Sequence, residues 1–184
     1  EWYSPTQPFP TKPPPFDRQG VSIDDLIDFT PELRAEAIKL VSRYKIGPIF
    51  TPPVVSTWEG PLATLMQPQT SGGANWPGGA LDPETNVLYL FSNTDIATLG
   101  LVHNEKVSDM NYIRGLARDP GAPPREAGAA AGGEGAGGLS VQGLPLPKPP
   151  WGRITAIDLD RGEIVWQIAH GETFGKAGCQ PLGV

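Results

Sequence analysis

Two side chains suited to gripping a flat polar molecule stand together in residues 71–79, which read Ser-Gly-Gly-Ala-Asn-Trp-Pro-Gly-Gly. The amide of Asn75 both donates and accepts hydrogen bonds, and the indole of Trp76 offers a broad π face with one N–H. Glycines at 72, 73, 78 and 79 strip side chains from both flanks, so another surface can come close and positive φ is tolerated. Two readings stay open on these residues alone. Asn75 and Trp76 contact a ligand, or Asn75 satisfies local backbone groups while Trp76 joins a core. Other residues of chemical type are less suggestive. Asp158 and Asp160 resemble an acid and base pair, but two residues apart on one strand with a turn to build they read as structural. His103 reads as a surface residue, since no second His, Cys or carboxylate cluster stands at metal spacing. His170, Glu172 and Cys179 fall in a loop to which the sequence gives no role.

The elements that must hold this pair in place begin just downstream. Asp82-Pro-Glu-Thr-Asn86 is a turn: Asp accepts from backbone N–H groups ahead of it, Pro fixes φ, and Asn tolerates the left-handed region. Residues 87–91, Val-Leu-Tyr-Leu-Phe, follow as an apolar strand. A second copy of this unit comes near the end, where residues 156–166 have the form Ala-x-Asp-x-x-x-Gly-x-x-x-Trp and Ala80-x-Asp82-x-x-Thr85-Asn86 repeats the first half. Residues 154–159 run up, Gly162 takes the left-handed turn position, and residues 164–168 run back. Repeated hairpins that bury their faces against neighbouring copies are the signature of a β-propeller, in which Trp166 would wedge between adjacent blades. The two copies are about 76 residues apart, against roughly 40–50 for one blade, so an insertion must separate them.

These blocks carry a family resemblance. The Asn75-Trp76 block, the Ala156 to Trp166 block, Gly47-Pro-Ile-Phe-Thr-Pro-Pro53 and Gln7-Pro-Phe-Pro-Thr-Lys-Pro13 together resemble the C-terminal part of pyrroloquinoline-quinone (PQQ)-dependent quinoprotein dehydrogenases of the glucose and alcohol dehydrogenase family. The Ala156 to Trp166 block is similar to that family's tryptophan-docking motif, with Arg161 where the family usually has Thr. The resemblance implies a mainly β fold, a partial eight-bladed β-propeller of roughly two blades, with a short helical insertion and long Pro/Gly-rich loops. It also implies a fragment of a longer protein that oxidises a sugar or alcohol by hydride transfer to a bound quinone, with quinone or cytochrome c as electron acceptor and the periplasm as location. Of the site residues, it makes Asn75 a hydrogen-bond partner of the PQQ and Trp76 its neighbour. The catalytic base and the calcium ligands would lie outside this chain, so no catalytic or metal residue is assigned here. The alternative is a non-catalytic β-propeller binding or assembly module.

The rest of the chain is organised around those hairpins. Residues 1–20, with six prolines in the first fifteen, read as an extended segment. Trp2, Tyr3, Phe9 and Phe16, each costly to expose, should lay it across a surface. Residues 21–46 form a helical insertion. Ser22 and Asp25 fit a capping box with a short helical turn through Phe29, and Thr30 caps a second helix with Pro31 at its first position. Leu33, Ala37, Leu40, Val41 and Tyr44 make one apolar stripe, so the helix packs rather than catalyses; Gly47-Pro48 should end it. Residues 47–102 hold the blade with the cofactor-side loop, in which a proline pair confines residues 49–56 to an edge or a crossing and residues 64–66 form a short strand. Residues 103–150 are a Gly/Ala/Pro-rich insertion, and 151–184 begin the next blade.

Composition narrows the classes further. Gly and Pro number 23 and 22 of 184 residues, which requires much of the chain to be turn, loop and extended segment. A net charge of −6 without any basic run argues against nucleic acid as a partner. No stretch approaches the ~18 consecutive apolar residues of a transmembrane helix, and a secretory leader is neither seen nor excluded. A lone cysteine makes no internal disulfide or metal cluster, and no Cys-x-x-Cys-His haem motif occurs.

Overall fold

The computed structural model describes residues 6, 8, 10–75, 78–121 and 139–170. A 3-10 turn, Ile23–Asp25, precedes helix α1, Pro31–Val41, and ten strands follow. These are β1 (Val54–Val55), β2 (Thr64–Met66), β3 (Gly79–Asp82), β4 (Val87–Asn93), β5 (Ala97–Val102), β6 (Ile113–Arg114), β7 (Ser140–Val141), β8 (Leu144–Pro145), β9 (Gly152–Asp158) and β10 (Glu163–Ala169).

The helical insertion forms where local chemistry places it. The Ser22 N–H donates to Asp25 Oδ2 at 2.8 Å, closing the capping box, and the Leu33 N–H donates to Thr30 Oγ1 at 3.2 Å. Leu33, Ala37 and Val41 turn inward against Val21, Leu26, Ile27, Leu65, Ile96, Val141 and Leu146, with Leu40 and Tyr44 at the margin. Helix α1 ends at Val41 rather than at Gly47. The reason is tertiary: the Lys45 N–H donates to Ala63 O at 2.8 Å and Lys45 O accepts from the Leu65 N–H at 2.9 Å, pairing Lys45 with β2. A residue bonded on both backbone groups to an extended neighbour cannot also continue a helix. The short helical turn likewise stops at Asp25, before Phe29.

One four-stranded sheet is built on β5. It pairs antiparallel with β2 and β6 and parallel with β1. Gly100 at its centre must be glycine, since a Cβ there would lie 2.6 Å from the carbonyl oxygens of both Leu62 and Gly115. Strand β1 sits at the end of the path β1-β5-β2, the edge position its prolines require.

The second sheet runs β10-β9-β4-β3, all antiparallel. Here the pairing differs from expectation. The two hairpin copies do not open separate blades. β4 and β9 are hydrogen-bonded neighbours along seven residue pairs, from Val87 with Asp158 to Asn93 with Gly152. The hairpins are therefore the two halves of one sheet, and the insertion expected between blades lies within a single one. Register places Tyr89, Ala156 and Trp166 on one face with Ala80, and Leu90, Thr155 and Gln167 on the other with Gly79. A bulge between Ile164 and Trp166 leaves Val165 out of the ladder.

Both turns form as their residues dictate. Asn86 and Gly162 take positive φ, 53° and 64°. Asp82 accepts from the Thr85 hydroxyl at 2.6 Å and the Glu84 N–H at 3.0 Å, while Asp158 Oδ1 accepts from the N–H groups of Asp160 and Arg161 at 2.9 and 3.0 Å. Asn86 Nδ2 donates to Asp160 Oδ1 at 2.6 Å, tying one turn to the other. Asp158 and Asp160 are thus turn-building carboxylates, as the sequence reading held.

Two outcomes follow from this packing. Leu26 is fully buried in the cluster around α1, so Leu26→Ala should cost about 2–5 kcal/mol in denaturant unfolding; a loss under ~1 kcal/mol would show that the cluster does not hold the insertion. Hydrogen bonds from Thr85, then from the Glu84 N–H, hold Asp82 below the ordinary carboxylate range. A depressed folded-state pKa stabilises above the unfolded pKa, and that contribution is lost as pH falls through the folded value. Thr85→Val should move the Asp82 midpoint back up in a carboxyl NMR titration; an unmoved midpoint would remove Thr85 as the cause.

Candidate functional site

Asn75 lies in the connection between β2 and β3, and it is exposed. Trp76 falls outside the described residues, so only one member of the sequence-selected pair has a described position. The root of the loop is pinned rather than free. The Gly72 N–H donates to Gln69 O at 2.8 Å, and Gly73 O accepts from the Asn93 N–H at 2.8 Å, which fastens the loop to the end of β4. Gly73 is glycine because of crowding: a Cβ would lie 3.0 Å from Asn93 O, 3.5 Å from Pro68 Cβ and 3.9 Å from Asp17 Oδ2. Beyond the tip, a Cβ on Gly78, at φ +77°, would meet nothing within 4 Å among the described residues. An exposed amide is thus carried on a loop tight at its base and, among the described residues, open at Gly78.

A charged cluster that the sequence reading did not single out sits under this loop. Arg153, on β9, is buried, and its Nη1 donates to Asp17 Oδ1 and, at 2.7 Å, to Thr94 Oγ1. The Thr94 hydroxyl donates to the same Asp17 oxygen at 2.9 Å, and the Thr94 N–H donates to Trp151 O at 2.7 Å. One carboxylate thereby joins the N-terminal segment to the ends of β4 and β9. Next to it, Arg18 donates to the carbonyls of Lys148 and Pro149 at 2.6 and 2.9 Å. Burial, and then the nearby Arg153 charge, lower the Arg18 pKa from its ordinary value. Gln167 donates to Phe16 O at 2.6 Å and Thr155 Oγ1 at 2.7 Å. Together these contacts lay residues 15–18 across β9 and β10, the surface contact expected for Phe16. Trp2, Tyr3 and Phe9 fall outside the described residues. A small cleft opens there, lined by Pro15, Phe16, Asp17, Arg18, Arg153 and Gln167.

The polar accounting around the loop root is incomplete. Among the described residues, the buried side-chain atoms without a hydrogen-bond partner are Asp17 Oδ2, both amide atoms of Gln67, and Ser92 Oγ. Ser92 pairs with Arg153 across β4 and β9, and Gln67 precedes the Pro68 that crowds Gly73. Asp95, just past Thr94, has its pKa raised by burial, partly offset by the Ile96 N–H donating to it at 2.8 Å. A sequence signal for the cluster did exist: a charged residue opening a strand as apolar as 154–157 must be paired if it is buried.

The remaining sequence candidates lie elsewhere. His103 is exposed, with Nδ1 2.8 Å from Asn111 O and Nε2 3.2 Å from Glu105. These two contacts, the first larger, raise its pKa. Glu172 and Cys179 fall outside the described residues. Trp166 packs on Tyr89 with ring centroids 5.8 Å apart and stays 40% exposed. Among the described residues no three His, Cys, Asp or Glu side chains gather in a group that would hold a metal, and no helix is long and apolar enough to cross a membrane.

Comparison with known proteins gives a consistent pattern. The family model for the PQQ-type glucose/ethanol/alcohol dehydrogenase β-propeller domain matches residues 1–182. A probable quinate dehydrogenase (quinone) of Xanthomonas campestris pv. juglandis is 26% identical over 93% of this chain and 21% of its own length. The glycerol dehydrogenase large subunit of Gluconobacter oxydans (strain 621H) is 27% identical over 89% of this chain and 23% of its own. The quinoprotein glucose dehydrogenase of Escherichia coli (strain K12) is 28% identical over 91% and 20%. The chain therefore spans about a fifth of the length of the curated relatives it matches.

The close approach at Gly73 is open to test. Gly73→Ala should displace Asn93 and quicken hydrogen exchange at the Asn93 amide by about tenfold or more, as the bond to Gly73 O is lost. Unchanged exchange would show that the loop root yields without releasing β4.

Proposed function

Because this chain belongs to the PQQ-type glucose/ethanol/alcohol dehydrogenase β-propeller family, we propose that it is the part of a quinoprotein dehydrogenase that presents Asn75 to the quinone. The observation that carries this reading is the exposed amide on a loop fastened at Gly73 and open beyond Gly78. The residues present fit such a group. An amide offers a donor and an acceptor to carbonyl or carboxylate oxygens, and flanking glycines let a planar ring approach the backbone.

When bound, the quinone supplies the two-electron sink for a hydride leaving an alcohol carbon. This chain's share of the work is to bind and orient. Asn75 is the hydrogen-bonding group, and Trp76 is its neighbour on the same loop. The base that takes the hydroxyl proton and the ligands for calcium are assigned to other parts of the parent protein. The substrate class is a sugar or alcohol, in keeping with relatives named for quinate, glycerol and glucose. Electrons would pass onward to a quinone or a cytochrome c, and the place of action would be the periplasm. The half-open apolar face bearing Tyr89 and Trp166 supports the reading of a part: it is the kind of face a neighbouring blade covers.

Thermal unfolding of the full-length protein with and without PQQ and calcium tests the proposal. A ligand bound only by the native form stabilises it, by about 2.7 kcal/mol at a hundredfold excess over Kd. Asn75→Ala should shrink that gain. No shift in the parent protein would favour a non-catalytic propeller, and a full shift in the variant would remove Asn75 from the site. The isolated 184-residue chain should give no quinone-dependent dye reduction, and turnover by it alone would defeat the partial-site reading.

A further inference from the structure

We propose that Asp17, Arg153 and Thr94 are positioning residues for the Asn75 loop, a role that rests on the reading of Asn75 as a quinone contact. The loop is held to the body of the protein through Gly73, whose carbonyl accepts from the Asn93 N–H. Asn93 is the last residue of β4, and the next residue, Thr94, is locked on three sides. Its hydroxyl donates to Asp17 and accepts from Arg153, and its N–H donates to Trp151 O. Asn93 is also paired with Gly152, so loss of the Thr94 side-chain bonds loosens, at the end of the ladder, the donor that fixes Gly73, two residues from Asn75.

Asp17 has a second link to the loop. Its Oδ2 is buried, without a hydrogen-bond partner among the described residues, and 3.9 Å from where a Gly73 Cβ would stand. A carboxylate that binds Arg153 and Thr94 with one oxygen, while the other lies against the loop root, is placed to set how closely the loop seats. Taking away its charge leaves Arg153, with a side chain 8% exposed, buried without its counter-ion. Water must then enter at the base of the loop. The group acts through geometry, and none of its atoms need touch quinone or substrate.

The test is a double-variant cycle in the full-length protein, read by equilibrium titration with PQQ in the presence of calcium. It is run well below each variant's unfolding temperature and accompanied by hydrogen exchange of the cofactor-free protein. Asn75→Ala should raise the PQQ Kd about tenfold, the scale of one lost hydrogen bond. Asp17→Asn should raise it by about three- to tenfold. The double variant should bind no worse than Asn75→Ala within about twofold, because a residue acting through Asn75 has nothing left to position. Exchange at the amides of residues 72–75 should quicken several-fold in Asp17→Asn and stay unchanged in Asn75→Ala. If Asp17→Asn does not fold, Thr94→Val, which keeps the ion pair, takes its place with the same expected directions. Additive effects on Kd, or binding by the Asp17 or Thr94 variant within about twofold of wild type, would overturn the positioning role. Wild-type binding by Asn75→Ala would overturn the reading of Asn75 instead, and unquickened exchange at 72–75 would then count separately against the link between cluster and loop.

Discussion

The backbone pairing of β4 with β9 is the constraint on which the rest of this structure depends. Seven consecutive residue pairs join strands that are separated in sequence by the whole of residues 94–151. Closing so long a loop costs entropy that no local contact returns, although the cost grows only slowly with loop length. The pairing compensates through a continuous ladder and through the buried residues it brings together, Ser92 on one strand and Arg153, Thr155, Ala156 and Ile157 on the other. Once the ladder is made, Arg153 must lie beside the end of β4. Its charge then requires the carboxylate that the N-terminal segment brings. Sheet, ion pair and loop root therefore form as one unit. A buried pair of this kind is a poor source of net stability, yet breaking it by removing one partner typically costs about 3–5 kcal/mol. In the observed register Arg153 meets Asp17 and is not stranded.

What the sequence made legible follows from how local each feature is. The Thr30 cap, the apolar stripe of α1, the Asp82 and Asp158 turns and their hairpins each need only a few neighbouring residues, and each forms. The end of α1 was misjudged because Lys45 is claimed by β2, a contact with residues about twenty positions away. The joining of the two hairpins into one sheet was missed for the same reason on a larger scale. Two copies of a motif look alike whether they lie in neighbouring blades or side by side in one, and spacing alone favoured the wrong choice. Glycine padding drew attention to Asn75, because missing side chains are visible in a sequence, but left two readings of that amide open. The Asp17 to Arg153 pair was legible only by half: Arg153 opens an apolar strand and so needs a partner if buried, but that partner is 136 positions away and by itself reads as surface.

The two faces of the second sheet divide the labour physically. The face of Arg153, Thr155 and Gln167 also carries Leu88, Leu90 and Ile157, and the chain covers its polar part with its own residues 15–18 through directed hydrogen bonds. The opposite face carries Val87, Tyr89, Phe91, Ile154, Trp166 and Ile168, and there Trp166 and Ile168 stay 40% and 52% exposed. Large apolar side chains each forgo about 1.5–3 kcal/mol when left in water, and a ring pair such as Tyr89 with Trp166 recovers little of that alone. A face left half open in this way among the described residues is ordinary for one layer of a ring of sheets, where each sheet is roofed by the next. The polar part of the first face is thus closed by specific bonds that fix geometry near Gly73. The apolar face is left for non-directional burial, which tolerates variation in whatever covers it.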